Sequence, residues 1–378
     1  MSSRAQMGPI NDWMRTSDKW LLGAFGALMV VGLVLALAAS PAVAERIGLS
    51  PFHFVNRQAL FMAPTAALMI ATSFLSPRYV RRAGLVAFVV SLALILLALK
   101  YGVEVKGSKR WIMGLQPSEF IKPAFVILAA WAFAEAGDGA KMARPARWLA
   151  FGMLPLTIVP LILQPDFGQT MLVTLGWASL FFMAGLSLYW VVGVGGAGVV
   201  GAFAAFKLSP HVHDRVLHFL DPEATGGLAD TFQVDTAVQS LLSGGWFGRG
   251  PGEGVYKRIL PDAHTDFVFA VAGEEFGLVA CLGLIALFGF IVWRALILAR
   301  RSPDPFTRFA AAGLAIMFGL QSWINMAVNV RAMPAKGMTL PFISYGGSSL
   351  LALGLGMGFL IALTRARPTV DLKTRLDV

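Results

Sequence analysis

The chain has 378 residues, of which 57% are hydrophobic and only 14% are charged. This composition excludes a soluble domain folded around one core and indicates a protein that crosses a membrane several times. The formal net charge of +10 favours contact with anionic lipid head groups, and no basic tract with interleaved aromatic residues suggests nucleic-acid binding.

Apolar runs long enough to cross about 30 Å of hydrocarbon recur along the whole chain. We predict an all-α polytopic membrane protein with ten spans, at roughly 20–40, 57–76, 83–101, 118–136, 147–163, 166–185, 188–207, 266–298, 308–329 and 343–364. The first run ends in a segment that resembles a signal-peptidase site, but its length and the later spans favour a membrane helix. A single membrane domain therefore accounts for residues 1–378, with no internal repeat.

The short connections between spans differ in charge on the two sides of the membrane. Four of them are rich in arginine or lysine on the side that holds both termini, and they read SPRYVRR, KMARPAR, ARRSPDPFTR and TRARP. The positive-inside rule makes that side the cytoplasm. We therefore predict cytoplasmic tails at 1–19 and about 365–378, and one large periplasmic loop at about 208–265.

The opposite side also carries basic residues, which orientation alone does not explain. They lie on predicted external loops or at helix junctions and are Lys106, Lys109, Arg110, Lys122, Arg215, Arg249, Lys257, Arg258, Arg331 and Lys336. Such a set suits an anion presented at the outer leaflet of the membrane.

The segment KGSKRWIMGLQPSEFIKP, residues 106–123, leads into the fourth span. Glu119 and Lys122 are three residues apart on the first helical turn, where they can pair across one face. A helix capped by Ser118 with a local ion pair and an anion-binding site explain this pattern equally well.

The segment QPDFGQT, residues 164–170, is a turn between the fifth and sixth spans. Asp166 can accept hydrogen bonds from the free amides at the start of the sixth span, and this structural role is favoured over a catalytic one by the spacing.

The segment HVHDRVLHFLDP, residues 211–222, contains His211, His213 and His218 near Asp214 and Asp221. The spacing matches no specific set of metal ligands, and an amphipathic interfacial segment explains it as well. We predict no metal site here.

Two further external segments are rich in glycine. GGWFGRGPGEGVYKR, residues 244–258, combines close backbone approach with Arg249 and Lys257, which would suit phosphate oxygens, although a flexible loop is the simpler interpretation. MPAKGMTLPFISYGGSS, residues 333–349, leads into the last span with small residues at a helix start, which favours either anion binding or close helix packing.

The segment LPDAHTDFVFAVAGEEFG, residues 260–277, places carboxylates at and inside a span. Asp266 and Glu274 are eight residues apart, about 12 Å along a helix axis and nearly on one face, whereas Glu275 points the opposite way. A functional acid and a helix N-cap are both open for Asp266. For the two glutamates, a functional role and a buried network that fixes helix packing are likewise both open.

These motifs, taken in order, resemble the SEDS family (shape, elongation, division, sporulation). KGSKRWI, QPSEFIKP, QPDFGQT, FLDP, GRGPGEG, LPDAHTDFVFAVAGEEFG and PAKGMTLPFISYGGSS carry the resemblance, which covers nearly the whole chain and is greatest to the cell-division members. It implies a peptidoglycan glycosyltransferase of the cytoplasmic (inner) membrane at the division septum. The implied substrate is lipid II, an undecaprenyl pyrophosphate-linked disaccharide peptide, and the implied partners are a class B penicillin-binding protein that cross-links the strands and other division proteins.

The resemblance also implies roles for individual residues. Asp266, in the HTDF motif, is the expected general base for the acceptor sugar hydroxyl. Substrate contacts are expected at Lys106, Lys109, Arg110, Glu119, Lys122, Asp166, Arg215, Arg249, Lys257, His264, Thr265, Lys336, Ser344 and Ser348. No cofactor is certain, although a divalent cation, Mg²⁺ or Mn²⁺, would fit beside the pyrophosphate. Arg258 departs from the acidic residue expected there, so the sequence supports no second catalytic carboxylate in that loop.

Two other functions compete with the enzyme hypothesis. A lipid II flippase would also place polar groups inside spans, as at Glu274, Glu275 and the stripe of Gln321, Asn325 and Asn329. A division scaffold without catalysis would tolerate substitution of Asp266. The ionisable clusters are concentrated on the external side, and this favours chemistry there.

Overall fold

The computed structural model describes residues 8–105, 108–137, 143–185, 188–208, 213, 217, 228–334 and 337–366. In chain order the helices are α1 Pro9–Thr16, α2 Lys19–Arg46, α3 His53–Ser73, α4 Pro77–Tyr101, α5 Pro117–Glu135, α6 Ala143–Leu163, α7 Phe167–Met183, α8 Leu188–Leu208, α9 Leu228–Gly244, α10 Val268–Arg300, α11 Pro305–Asn329 and α12 Gly347–Thr364. Strands β1 Val103–Val105 and β2 Ser108–Trp111 form an antiparallel hairpin between α4 and α5, with Glu104 opposite Lys109.

Each of the ten predicted spans coincides with one helix, from α2 to α8 and from α10 to α12. Within the described residues, α2, α4, α5, α6, α10, α11 and α12 are long and apolar enough to cross a membrane, and α7 is a shorter apolar helix. The chain is therefore an all-α polytopic membrane protein, as the composition predicted.

The core of the bundle consists of α5, α11 and α12. Within an apolar stretch of 18 residues in each helix, 83% of the stretch is buried in α5 and 78% in α11 and α12, but only 28% in α10. At the centre, the Phe318 ring lies 5.9 Å from that of Phe25 on α2 and 6.4 Å from that of Phe342. Apolar packing thus fixes the three central helices, and α4, α6 and α10 present apolar surface outward.

Helix α1 and Arg365, the residue after α12, meet at one end of the bundle, which we call the terminal end. There Arg294 of α10 donates to Asp18 (2.7 Å) just before α2, and Arg365 after α12 donates to Asp12 of α1 (3.1 Å). We call the opposite end the far end. It holds the loops that carry Asp166, Lys257 and Asp266.

Three helix starts differ from the sequence expectation. The last span was predicted from 343, but α12 begins at Gly347, because residues 340–346 form a turn in which the Leu340 amide donates to Ser344 Oγ (2.7 Å). The residue at the N-cap of α5 is Gln116, so the prediction of Ser118 was wrong. The residue at the N-cap of α10 is Phe267, so Asp266 lies outside the helix.

Candidate active site

The candidate base lies in a turn at the far end, residues 262–266, directly before α10. The carbonyl of Asp262 accepts hydrogen bonds from the amides of Thr265 (3.0 Å) and Asp266 (3.1 Å). Because these bonds are local, the turn keeps its own shape, and its place in the bundle is set by contacts with other segments.

The turn before α12 holds one side of this segment. The amide of Tyr345 donates to the carbonyl of His264 (2.9 Å), and Ser344 Oγ donates to the carbonyl of Thr265 (2.5 Å). The rings of His264 and Tyr345 also lie 5.5 Å apart. Two of the predicted site residues, His264 and Ser344, thus belong to one structural unit.

The polar stripe on α11 holds the other side. Asn325 Nδ2 and Asn329 Nδ2 both donate to the backbone carbonyl of Asp266, at 2.9 and 3.0 Å. Asn329 Oδ1 also accepts from the amide of Ala270 in the first turn of α10 (3.0 Å). The side-chain amides of Asn325 and Asn329 therefore hold the backbone at Asp266 in place.

The side chain of Asp266 is partly exposed and lies beside the segment before α12. A methyl group built on Gly337 would lie 3.6 Å from Asp266 Oδ2. The carboxylate therefore combines a fixed backbone with access from the far end, which a group that exchanges protons with a bound substrate requires.

A second polar cluster lies deeper, at the start of α5. Lys122 Nζ donates to Glu119 Oε2 (2.8 Å) and to Gln321 Oε1 (2.9 Å), so the ion pair predicted from the spacing is present. Gln169 of α7 donates to Glu119 Oε1 (2.6 Å), and Gln321 Nε2 donates to the carbonyl of Thr339 (3.1 Å). Both charges are buried, so the cost of removing them from water offsets much of their attraction. Their main contribution is the set of specific hydrogen bonds that connects α5, α7 and α11.

Asp166 lies next to this cluster, in the turn between α6 and α7. Its side chain makes no cap bond to α7; instead, Ser118 Oγ donates to Asp166 Oδ2 (3.2 Å), and Arg110 Nη1 lies 3.6 Å from Oδ1. Burial raises the pKa of the Asp166 carboxyl above its usual range, and the Arg110 guanidinium opposes that rise. Arg110 also donates to the carbonyl of Gln164 (3.1 Å), so it ties the β-hairpin to the α6–α7 turn.

The two glutamates of α10 are buried and bond to the loop that carries Lys257. Glu274 accepts from the amides of Val255 (2.6 Å), Tyr256 (2.8 Å) and Lys257 (3.0 Å), and Glu275 pairs with the Lys257 ammonium. Protein, and not lipid, surrounds both carboxylates, which agrees with a buried network that fixes helix packing.

The predicted substrate contacts fall into three groups. Lys109 and Arg249 are exposed and Arg110, His264 and Thr265 are partly exposed at the far end, whereas Glu119, Lys122, Asp166, Lys257, Ser344 and Ser348 are buried. Lys106, Arg215 and Lys336 lie outside the described residues. The structure thus places Ser344 in contact with Thr265, in the turn that also carries His264 and Asp266. It leaves Arg249 apart, donating to the carbonyl of Ser243 (3.2 Å).

A metal site has no support in the described part of the chain, where no three His, Cys, Asp or Glu side chains lie close enough to hold an ion. His211, His218, Asp214 and Asp221 fall outside the described residues.

One residue that shapes the site was missed in the sequence. Gln58 of α3 is buried, and its Nε2 donates to the carbonyl of Ile343 (2.9 Å) and to that of Gly32 in α2 (3.3 Å). It thereby fixes the turn that carries Ser344 and Tyr345. A lone amide side chain within an apolar span was the available signal, because such groups need partners in the protein.

Comparison with known proteins identifies the family. The model of the FtsW, RodA and SpoVE cell cycle proteins matches residues 19–368. A probable peptidoglycan glycosyltransferase FtsW from Caulobacter vibrioides is 46% identical over 361 residues, covering 94% of this chain and 91% of the relative. A second, from Alkalilimnicola ehrlichii, is 37% identical and covers 89% of this chain and 86% of the relative.

Solved structures agree with the fold. A chain of a peptidoglycan synthase complex, solved to address the coordination of polymerization and crosslinking, superposes with a TM-score of 0.75 at 28% identity, covering 93% of this chain and 99% of that one. The rod shape determining protein RodA of Thermus thermophilus superposes with a TM-score of 0.67 at 26% identity, covering 93% and 98%. The chain belongs to the FtsW, RodA and SpoVE family, the SEDS family that its motifs resemble, and within it is similar to FtsW.

Proposed function

We propose that this chain is a peptidoglycan glycosyltransferase that polymerises lipid II at the far end of its bundle, with Asp266 as general base. Both curated relatives above are named for that activity, and the family match runs through residues 19–368. One observation carries the role of Asp266: its carboxylate is partly exposed while its backbone is held by Asn325 and Asn329. A positioned group of this kind loses little orientational freedom when the substrate binds.

The proposed reaction transfers the donor glycan chain from pyrophosphate to a sugar hydroxyl. Asp266 accepts the proton of the acceptor hydroxyl while the oxygen attacks the anomeric carbon of the donor. The bond between that carbon and the pyrophosphate oxygen breaks, and its electron pair leaves with the pyrophosphate. Attack opposite the leaving group inverts the anomeric centre, so an α-linked donor gives a β-linked strand.

Pyrophosphate is a good leaving group and can depart without being protonated by a strong acid. Its negative charge still has to be neutralised, and nearby cationic side chains can do this. We assign direct anion contacts to Lys109 and Arg110, which are accessible at the far end, and by resemblance alone to Lys106, Arg215, Arg249 and Lys336. We assign a supporting role to the buried residues Glu119, Lys122, Asp166, Lys257, Ser344 and Ser348, whose polar groups already bond to protein.

The proposal includes an orientation and a partner. The terminal end faces the cytoplasm and the far end faces the periplasm, as the arginine-rich short loops require. A class B penicillin-binding protein cross-links the strands at the division septum. The structural neighbour from a peptidoglycan synthase complex supports a partnership of this kind.

The test is glycan polymerisation from purified lipid II by the full chain with its cognate transpeptidase. Asp266→Asn removes the base and is expected to reduce polymer by a factor of about 100 or more, within the range for losing a general base. Asp262→Asn is the matched control, because it neutralises a carboxylate in the same turn, and asparagine tolerates the positive φ of 53° found there.

The control must keep its activity, and folding and partner binding of both variants are checked by thermal unfolding and co-purification. Equal polymer from the wild type and Asp266→Asn would reject Asp266 as base. Absence of polymer from the wild type under every partner and metal condition would reject the enzyme and favour the flippase or scaffold hypothesis.

A further inference from the structure

Helix α10 is interrupted near the far end, and a loop fills the interruption. Gly277 has φ 79° and ψ −179°, which no helical residue adopts, so nearby carbonyls and amides lose their helical partners. Four of these groups bond to residues 245–250 instead. The amides of Arg249 and Gly250 donate to the carbonyls of Glu274 (2.9 Å) and Glu275 (3.1 Å).

The backbone amides that follow the interruption also find hydrogen-bond partners in this loop. The amide of Leu278 donates to the carbonyl of Gly245 (2.9 Å), and that of Val279 donates to the carbonyl of Trp246 (3.2 Å). A Cβ on Gly277 would lie 2.4 Å from the carbonyl oxygen of Trp246, so the approach requires glycine. An interrupted helix is tolerated in a membrane protein only where such partners exist, and residues 245–250 supply them.

The depth of this interruption follows from two helices. The Asp18–Arg294 pair (2.7 Å) marks one level at the terminal end. Ala38 is 20 residues after Asp18, and Glu275 is 19 residues before Arg294, so each lies about 30 Å from that level at 1.5 Å per residue. Lys257 Nζ bonds both the Ala38 carbonyl (3.0 Å) and the Glu275 carboxylate, so the two helices give the same height.

That height equals the thickness of the hydrocarbon core, about 30 Å. Residues 276–293 of α10 contain no charged side chain, which agrees with hydrocarbon between the two levels. Residues 245–249, which bond to the helix at this height, therefore lie at the boundary between hydrocarbon and head groups at the far end.

The side chains at this boundary are aromatic and exposed. Phe247 is 83% exposed and Trp246 is 65% exposed. Leu278, Val279 and Leu282, on the outward face of α10 just below, are also exposed, so the aromatic pair continues a lipid-facing apolar surface. Aromatic rings are enriched at this level of membrane proteins, where they contact both head groups and acyl chains.

We propose that residues 245–249 form an interfacial anchor in the lipid leaflet at the far end, with Trp246 and Phe247 inserted at the boundary of head groups and acyl chains. The partner of this surface is phospholipid. These five residues therefore do not stand in water as a periplasmic loop would, and we expect water further along the same loop, at the exposed Glu253. This inference depends on the membrane spans and not on the catalytic role of Asp266.

Spin-label accessibility in lipid nanodiscs tests the proposal. The native thiol is removed by Cys281→Ala, and single cysteines are introduced by Phe247→Cys and, as the matched control on the same loop, Glu253→Cys. Both native side chains are exposed, so labels fit without repacking. We expect the label at 247 to collide more with oxygen, which concentrates in lipid, than with the water-soluble nickel complex NiEDDA, and the reverse at 253.

Equal water accessibility at 247 and 253 would overturn the proposal. Shielding of the 247 label from both reagents would also overturn it, because protein and not lipid would then cover the surface. A second measurement needs no cysteine: the emission difference between the wild type and Trp246→Phe reports Trp246 alone. Bromine atoms near the head of the acyl chain should quench that difference, and a lack of quenching would contradict the lipid assignment.

Discussion

At the scale of single residues, the site depends on bonds to backbone atoms that the sequence does not display. The sequence placed Asp266 correctly at the mouth of a span and found the stripe of Gln321, Asn325 and Asn329. It could not reveal that two of these amides converge on one carbonyl, because that contact joins residues about 60 positions apart. Spacing alone supports contacts within one helix, as for Glu119 and Lys122, and those were predicted.

Asn325→Leu tests whether the stripe positions the base. The variant removes the donor at 2.9 Å from the Asp266 carbonyl, and we expect kcat to fall about tenfold with KM for lipid II unchanged, since a small displacement of a catalytic group is costly. Ser322→Ala is the control, because Ser322 is buried on the same helix but bonds only to the carbonyl of Phe318 (2.8 Å). A rise in KM at constant kcat would contradict a positioning role.

Asp18→Asn tests the ion pair at the terminal end. Burial raises the pKa of the Asp18 carboxyl, but the Arg294 side chain and the Leu21 amide more than offset this, so the folded pKa lies below the usual value. A lowered folded pKa gives stability that is present above the unfolded pKa and is lost as pH falls through the folded pKa. We expect the Tm difference between wild type and variant to be constant near neutrality and to shrink below about pH 4; a difference independent of pH would exclude the carboxylate as its source.

At the scale of elements, apolar length and helix periodicity predicted the spans because each is a local property of the chain. The irregular segments were not predicted. Residues 245–250 have the composition of a flexible loop, yet they complete an interrupted helix, and the turn before α12 replaces the helical start expected at 343. In each case the deciding bonds come from segments distant in sequence, so the local pattern could not have revealed them.

Gly277→Ala tests the interruption of α10. The new Cβ would meet the carbonyl of Trp246 and the backbone would be held at φ 79°, so we expect a loss of stability of about 1–3 kcal/mol, seen as a lower Tm. Gly283→Ala on the same helix is the control, because a Cβ there meets no atom within 4 Å. Similar Tm values for the two variants would show that the interruption can be repaired at no cost.

At the scale of the whole molecule, the two ends of the bundle carry different sets of charged and polar groups. At the terminal end Arg294 pairs with Asp18 and Arg365 pairs with Asp12. The far end holds the polar groups around Asp266, Asp166 and Lys257. The central helices α5, α11 and α12 run between the two ends, and each is buried along most of its length. A site at one end of a membrane bundle needs no separate soluble domain.

Cysteine labelling tests the proposed orientation. In a Cys281→Ala background, Glu253→Cys places a thiol at the far end and Ser302→Cys places one between α10 and α11 at the terminal end. We expect a membrane-impermeant maleimide to label only position 253 in spheroplasts and both positions after lysis. Labelling of position 302 before lysis would reverse the orientation and move the proposed chemistry to the other compartment.

The close packing of α3 against α12 has a consequence for biogenesis. A Cβ on Gly354 would lie 2.6 Å from the Thr65 carbonyl, and Gln58 bonds the turn just before α12, so α3 finds these partners in a segment that is synthesised much later, 285 positions after Gln58 in the case of Ile343. Until α12 inserts, Gln58 keeps only its longer bond of these two, to the Gly32 carbonyl of α2 (3.3 Å), and the surface of α3 that packs on α12 stays uncovered. A chain that stops before Gly347 would leave that surface open to membrane proteases, so the insertion of α12 is the step that covers it.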